Sequence, residues 1–387
     1  MMPNITPKDI YTASRTPAYL ETKNHYEILD GLRGVVALFV VAFHILNSYA
    51  SDRFHQLINH GYLAVDFFYV LSGFVVAYAY DDRWGKMTQW DFYKRRFIRL
   101  QPMAIMGTII GAALFYAQAC REFPLIGTTP VWKMLLVMLV GFAMLPLPTS
   151  MDIRGWRQML PLNGVAWSLF FEYIANILYA LVIRRFSRAL LAVFVFIAAC
   201  FLVQFLLMGP LGDANGGFSF QKSHLHIGFA RLLYPFFAGV LLVRMGKLIH
   251  IKDAFGICTL LLCVILSFPR IGGSEHLWMN GLYESVCIII LFPLIVSIGA
   301  GGRITGKYPI KICKFLGAIS YPIYITHYPL CCVYTAWVLN NNVPMAKGLL
   351  VGLVVLIGSI AIAYASLKLY DEPVRKWLTN RFLKSRG

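Results

Sequence analysis

Charge is scarce in this chain, and acidic charge is the scarcest. Of 387 residues only 14% are charged, with 18 Asp or Glu against 35 Lys or Arg. A water-soluble domain of this length needs far more polar residues to cover its surface, so a soluble globular fold is excluded. The eight cysteines show no C-x-x-C or Cys/His metal spacing. Six of them (Cys200, Cys258, Cys263, Cys287, Cys331, Cys332) fall inside apolar runs, where a free thiol acts as a small hydrophobe. Cysteine chemistry and a bound metal are therefore not expected. Residues 1–28 lack an apolar h-region and a small-residue cleavage site, so no signal peptide is expected and the first span serves as the topogenic signal. No internal repeat and no low-complexity tract is visible.

What fills the chain instead is apolar sequence. A span needs about 20 apolar residues, and candidates lie at 31–50, 62–80, 102–120, 131–148, 166–183, 189–208, 227–243, 254–268, 281–299, 314–338 and 347–369. The net charge of +17 sits in short clusters between these runs, which is the distribution of positive-inside topology rather than of nucleic-acid binding. Eleven strict crossings would put Arg184, Arg185, Arg188 and every later basic cluster on the outside. Placing the N-terminus inside and letting 131–148 dip in or lie flat removes the conflict, and the prolines of "FAMLPLPTS" suit a broken helix there. The expectation is an all-α polytopic bundle of ten crossings plus one re-entrant or interfacial segment, both termini cytoplasmic. It comprises an N-terminal segment (1–28), one membrane domain (29–375) and a basic tail (376–387).

Several polar residues fall inside this apolar frame. In "LDGLRGVVALFVVAFHILNSYA" (29–50), Arg33 and His44 are eleven residues apart, close to three full turns, so they share a face about 16 Å apart along the axis. Intramembrane charge is costly and marks either a buried partner or a function. "GYLAVDFFYVLSGF" (61–74) carries Asp66, which serves either as a structural pair or at a site. "KRRFIRL" (94–100) puts Arg96 and Arg99 on one helical face, a geometry suited to bidentate phosphate binding and equally to a topological stop signal. In "NGVAWSLFFEY" (163–173), Ser168 and Glu172 stand at i and i+4. No G-x-S-x-G elbow surrounds the serine. "AISYPIYITHYPL" (318–330) carries Tyr321, Tyr324 and His327 between Pro322 and Pro329, which should bend the helix and free carbonyls. A histidine bonded to such a carbonyl is the structural alternative for His327.

Depth unites these residues. His44 and His327 each fall about 20 Å above the cytoplasmic boundary of a ~30 Å core, and Asp66 and Glu172 about 6–9 Å below the outer one. Four ionisable groups are thus expected in one outer layer, with Arg33, Arg96 and Arg99 at the inner mouth. A phosphopantetheine arm spans such a gap, so an acyl-CoA could hold its nucleotide inside and its thioester deep.

The ordered set LDGLRG with a histidine eleven residues after its arginine, VDFFYVLSGF, RRFIRL and WSLFFE resembles the acyltransferase-3 family of bacterial membrane enzymes. These O-acylate sugars on lipopolysaccharide, exopolysaccharide, peptidoglycan, glucans or small natural products, and the resemblance covers about residues 28–375. It implies an essential role for His44 and an acyl-CoA role for Arg96 and Arg99, with Arg33 as the first-span arginine. Some relatives carry two adjacent acids after WSL, whereas here Glu172 is followed by Tyr173. Relatives with a periplasmic hydrolase-like domain have an extra span and a long tail, so this chain is expected to act alone or to pass its acyl group to a separate protein.

The resulting expectation is a multi-pass O-acyltransferase of the bacterial cytoplasmic membrane. It would move an acyl group, in the simplest case acetyl, from cytoplasmic acyl-CoA to a hydroxyl of a cell-envelope carbohydrate or glycolipid. Arg33, Arg96 and Arg99 would bind the CoA phosphates. His44 would be the general base, with Asp66 or Glu172 orienting it or the sugar. Trp167, Ser168, Tyr321, Tyr324 and His327 would line the acceptor pocket. The rival is a proton-coupled transporter or flippase, in which intramembrane acids and histidines form relays and repeated halves are common.

Overall fold

The computed structural model describes residues 25–52 and 54–383; the expectations for residues 1–24, and for Lys384 and Arg386 in the basic tail, lie outside them. Among the described residues there is no β-strand, only an isolated bridge between Gln158 and Ser219. In chain order the helices are α1 (Glu27–Asn47), α2 (Ala64–Tyr80), α3 (Gln89–Ala113), α4 (Val131–Phe142), α5 (Trp167–Leu181), α6 (Arg188–Met208) and α7 (Lys222–Met245). There follow α8 (Ala254–Ser267), α9 (Leu277–Val286), α10 (Phe292–Gly301), α11 (Lys307–Asn340), α12 (Met345–Ser366) and α13 (Glu372–Phe382). One π-helical turn joins α9 to α10 and another joins α12 to α13.

Every apolar run lies on a helix. Among the described residues, seven segments, built on α1, α2, α5, α6, α7, α9–α10 and α12–α13, are long and apolar enough to cross a membrane. Phe196 and Ile197 on α6 and Leu350 and Val354 on α12 point outward, each at least 60% exposed. That makes an apolar outer surface of the kind a bilayer covers. With 12 residues, α4 is only about 18 Å long. Its helix ends where Met144 takes a φ of 54°, ahead of Pro146 and Pro148. The 14 residues of α8 span only about 21 Å against a ~30 Å core, and the run at 254–268, a candidate span, is correspondingly short. The third helix begins at Gln89 rather than near residue 102, because Thr88 and Asp91 form a capping box. KRRFIRL therefore lies within the helix, as the shared helical face expected for Arg96 and Arg99 requires.

Two helix pairs organise the bundle, and glycine makes both possible. A side chain on Gly34 of α1 would collide with the backbone of Leu316 on α11, and one on Gly317 of α11 would collide with Asp30 of α1. The glycines of LDGLRG are thus contact points for α11. In the second pair, a Cβ on Gly73 of α2 would strike the carbonyl of Phe236 on α7, while one on Gly239 of α7 would strike that of Val70 on α2. Small residues let helix backbones approach this closely.

Gly34→Ala is expected to cost roughly 1–3 kcal/mol through overpacking, read as a lower thermal unfolding midpoint in detergent. Gly358→Ala on α12, where an added methyl meets nothing within 4 Å, should be neutral or slightly stabilising. Equal midpoints for the two variants would contradict the α1–α11 contact.

Candidate functional site

The α1–α11 pair brings two of the expected groups together. His44 on α1 faces His327 on α11, with ring centroids 5.3 Å apart, and the Tyr328 ring stands edge-on to His44 at 5.2 Å. His44 makes no hydrogen bond among the described residues, and it lines a cavity of about 800 Å³. At the other end of α1, Arg33 donates to Ser320 Oγ at 2.7 Å and to the Gly317 carbonyl at 2.9 Å, and pairs with Asp30 at 3.1 Å.

The two carboxylates do not join the histidines. Asp66 is fully buried and forks onto the buried guanidinium of Arg231 on α7, with contacts of 2.5–3.2 Å. Glu172 on α5 accepts from Arg96 Nη2 at 2.6 Å and from Ser72 Oγ at 2.6 Å. The expected layer of four ionisable groups is therefore divided, and Glu172 belongs with the arginines. The physical reason is that a carboxylate shielded from water takes a cation within reach. Arg231 was missed, although an arginine inside "LHIGFARLLYPFF" is itself a signal that an acid must sit opposite.

At the arginine end, Arg99 has Arg375, Arg33, Asp371 and Arg96 as its charged neighbours. Arg375, on the terminal helix α13, pairs with Asp371 at 3.2 Å and joins the cluster unforeseen. Arg33, Arg96 and Arg375 each have one carboxylate, in Asp30, Glu172 and Asp371. Arg99 has no ion pair or hydrogen bond among the described residues, and Arg96 Nε is buried without a partner. Four guanidiniums against three carboxylates leave one positive charge uncompensated. Such a cluster can receive an anion.

The cavity at the histidine end is aromatic and polar. Of the residues expected there, Trp167 and Tyr324 line it with His44. Ser168 stands behind Tyr324, its hydroxyl 2.7 Å from the Tyr324 hydroxyl and 3.1 Å from the Val165 carbonyl. Tyr321 instead donates to the Leu100 carbonyl at 2.6 Å, and His327 is buried beside the cavity. The carbonyl that Pro329 frees is that of Ile325, and Asn163 rather than His327 takes it, at 2.7 Å. Tyr62, Gln158, Arg231 and Tyr328 belong to the polar wall, which also includes Asp52 and Glu122. The first four come from four separate elements, so no local motif announces them. Among the described residues, no three His, Cys, Asp or Glu side chains gather as a metal-binding group.

A family model described as an acyltransferase domain matches residues 26–367. The chain belongs to the acyltransferase-3 family. Among relatives, a Rhizobium radiobacter protein named protein 2 in picA locus is 35% identical over 164 residues, 40% of this chain and 80% of that protein. A Bacillus subtilis protein provisionally named peptidoglycan O-acetyltransferase YrhL is 27% identical over 336 residues, 81% of this chain and 50% of its own length. The O-acetyltransferase OatA of Staphylococcus aureus is 23% identical over 372 residues, 90% of this chain and 57% of its own. This acyltransferase-3 chain thus spans little more than half the length of the two named O-acetyltransferases. No solved structure matches it.

Removing one partner of a buried ion pair strands the other charge. Asp66→Ala is expected to destabilise the protein by about 3–5 kcal/mol, whereas Arg99→Ala, which breaks no ion pair, should leave the unfolding midpoint in detergent unchanged. A destabilised Arg99→Ala beside an unaffected Asp66→Ala would reverse the assignment of structural and functional charges.

Proposed function

We propose that this chain is an integral membrane O-acyltransferase that takes an acyl group, in the simplest case acetyl, from acyl-CoA on the cytoplasmic side. The acceptor is a hydroxyl of a cell-envelope carbohydrate or glycolipid. The observation that carries the reading is the pairing of a hydrogen-bond-free His44 on an 800 Å³ aromatic-polar cavity with an uncompensated arginine cluster at the other end of the same helix. Support for the acceptor class comes from the relatives named as O-acetyltransferases. The charge clusters support ten crossings with both termini inside a bacterial cytoplasmic membrane, with the short helix α4 dipping in or lying at the outer face.

In this reading Arg99, with Arg33, Arg96 and Arg375 around it, holds the phosphates of CoA. The thioester reaches the His44 level about 16 Å away along α1. A ring nitrogen of His44 takes the proton from the acceptor hydroxyl as its oxygen attacks the thioester carbonyl. The new C–O bond forms, the C–S bond breaks, and the imidazolium returns the proton to the departing thiolate. Trp167 and Tyr324 offer the aromatic and hydroxyl surfaces that a sugar ring uses. A proton-coupled transporter fits less well, because Asp66 and Glu172 are each engaged by an arginine rather than open to the cavity.

The test is single-turnover acyl transfer measured beside CoA affinity. His44→Gln can keep a packing hydrogen bond but cannot accept a proton at neutral pH, so it should lose roughly 10²-fold or more in transfer while binding CoA normally. Arg99→Ala should show the opposite split: weakened CoA affinity, with partial rescue by lysine, which lacks the bidentate fork. A glutamine variant that keeps a third of wild-type transfer would remove His44 from the chemistry.

A further inference from the structure

A neutral imidazole is a base only through the nitrogen that lacks a hydrogen, so the hydrogen must be held on the other nitrogen. In Ser-His-Asp sites a carboxylate holds it. Here the carboxylates expected for that task are committed elsewhere, Asp66 to Arg231 and Glu172 to Arg96 and Ser72. Two rings of α11 stand against His44, that of Tyr328, whose hydroxyl is engaged by Gln158, and that of His327.

The protonation of His327 can be read from its partner. Its Nδ1 lies 2.9 Å from the carbonyl oxygen of Ile323. A carbonyl oxygen only accepts, so Nδ1 carries the hydrogen; a buried ring with no carboxylate paired to it stays neutral, and its Nε2 then presents a lone pair. His327 is 0% exposed, and that Nε2 is buried with no partner among the described residues. A buried acceptor left unmatched costs about 1–3 kcal/mol, so the fold has placed a hydrogen-bond acceptor where it needs a donor. With ring centroids 5.3 Å apart, two ring nitrogens turned toward each other would stand roughly 3 Å apart, an ordinary hydrogen-bond length.

We propose that His327 is the positioning residue for His44: its Nε2 accepts the hydrogen on the His44 ring nitrogen turned away from the cavity. The cavity-facing nitrogen is thereby fixed as the lone pair that meets the acceptor hydroxyl. When His44 takes the proton, both its nitrogens become donors. The same Nε2 then holds one end of the imidazolium. This rests on His44 being the base.

Two amides separate this role from a structural one. Glutamine at 327 can set its carbonyl oxygen near the place of Nε2, while asparagine can set its amide nitrogen near the place of Nδ1 and keep the bond to Ile323. His327→Gln should therefore hold kcat within about threefold of wild type, whereas His327→Asn and His327→Ala should each lose roughly 10²-fold in kcat. The KM for acyl-CoA and for acceptor should not move in any of them. The reverse order, with asparagine active and glutamine inactive, would assign His327 to packing through Ile323 alone. Full activity of all three, or loss in all three with unfolding midpoints intact, would also overturn the proposal. Should the glutamine variant not fold, ¹⁵N-histidine NMR of the wild-type protein decides. One pyridine-type and one pyrrole-type nitrogen on His44, averaged together in His327→Asn, is expected; an averaged pair already in wild type contradicts it. Transfer that survives His44→Gln would instead defeat the base assignment itself.

Discussion

The contact between α1 and α11 is the constraint on which both ends of the site depend. Two helices can carry paired functional groups at fixed heights only if their backbones cannot slide, and here glycine lets them touch. With Gly34 against Leu316 and Gly317 against Asp30, the arginine-bearing ends are locked. The arginine of LDGLRG then meets Ser320 and the Gly317 carbonyl, and about three turns higher His44 meets His327. The same contact therefore sets the arginine end and the histidine end, and fixes the distance between them.

Charge placement follows a second rule, that a group shielded from water must be matched. Asp66 and Arg231 satisfy it as a closed pair next to the close α2–α7 crossing, and Glu172 satisfies it with Arg96. These pairs specify how helices dock more than they add stability, since burying two charges is itself expensive. The rule is broken in several places, among them Arg96 Nε and the Nε and Nη2 of the buried Arg154, and two of the breaks fall at the ends of the site. Among the described residues Arg99 makes no ion pair, and His327 Nε2 has no donor. Unmatched groups beside a cluster of cations and beside a cavity are where a ligand or a reacting group completes the set.

Much of the fold was legible in the sequence, because a helix in a bilayer is announced by its own apolar length. All eleven runs lie on helices, and the spacing of Arg33 and His44 placed them on one face of α1. The proline-rich stretch after Phe142 ended a helix as its composition required. Partner choice was not legible. Depth along separate spans could be counted, but which helix stands beside which could not, so Asp66 and Glu172 were grouped with His44 although their arginines lay on α7 and α3. Arg375 was hidden in a basic cluster at the end of the membrane domain that reads as topology, and Gln158, Arg231 and Tyr328 come from elements far apart in the chain. The identity of the His327 tautomer needed a single distance to a carbonyl that no sequence pattern carries.

The central claim is a division of labour across the membrane, with donor phosphates held at the arginine end and the acceptor met at the histidine cavity. It is tested most directly by acyl transfer in proteoliposomes of known protein orientation, with radiolabelled acetyl-CoA supplied to one face and a soluble acceptor glycan to the other. Transfer when CoA is on the arginine face and acceptor on the opposite face, and none when the two are exchanged, is the predicted result. Transfer that needs both substrates on the same face would contradict the account.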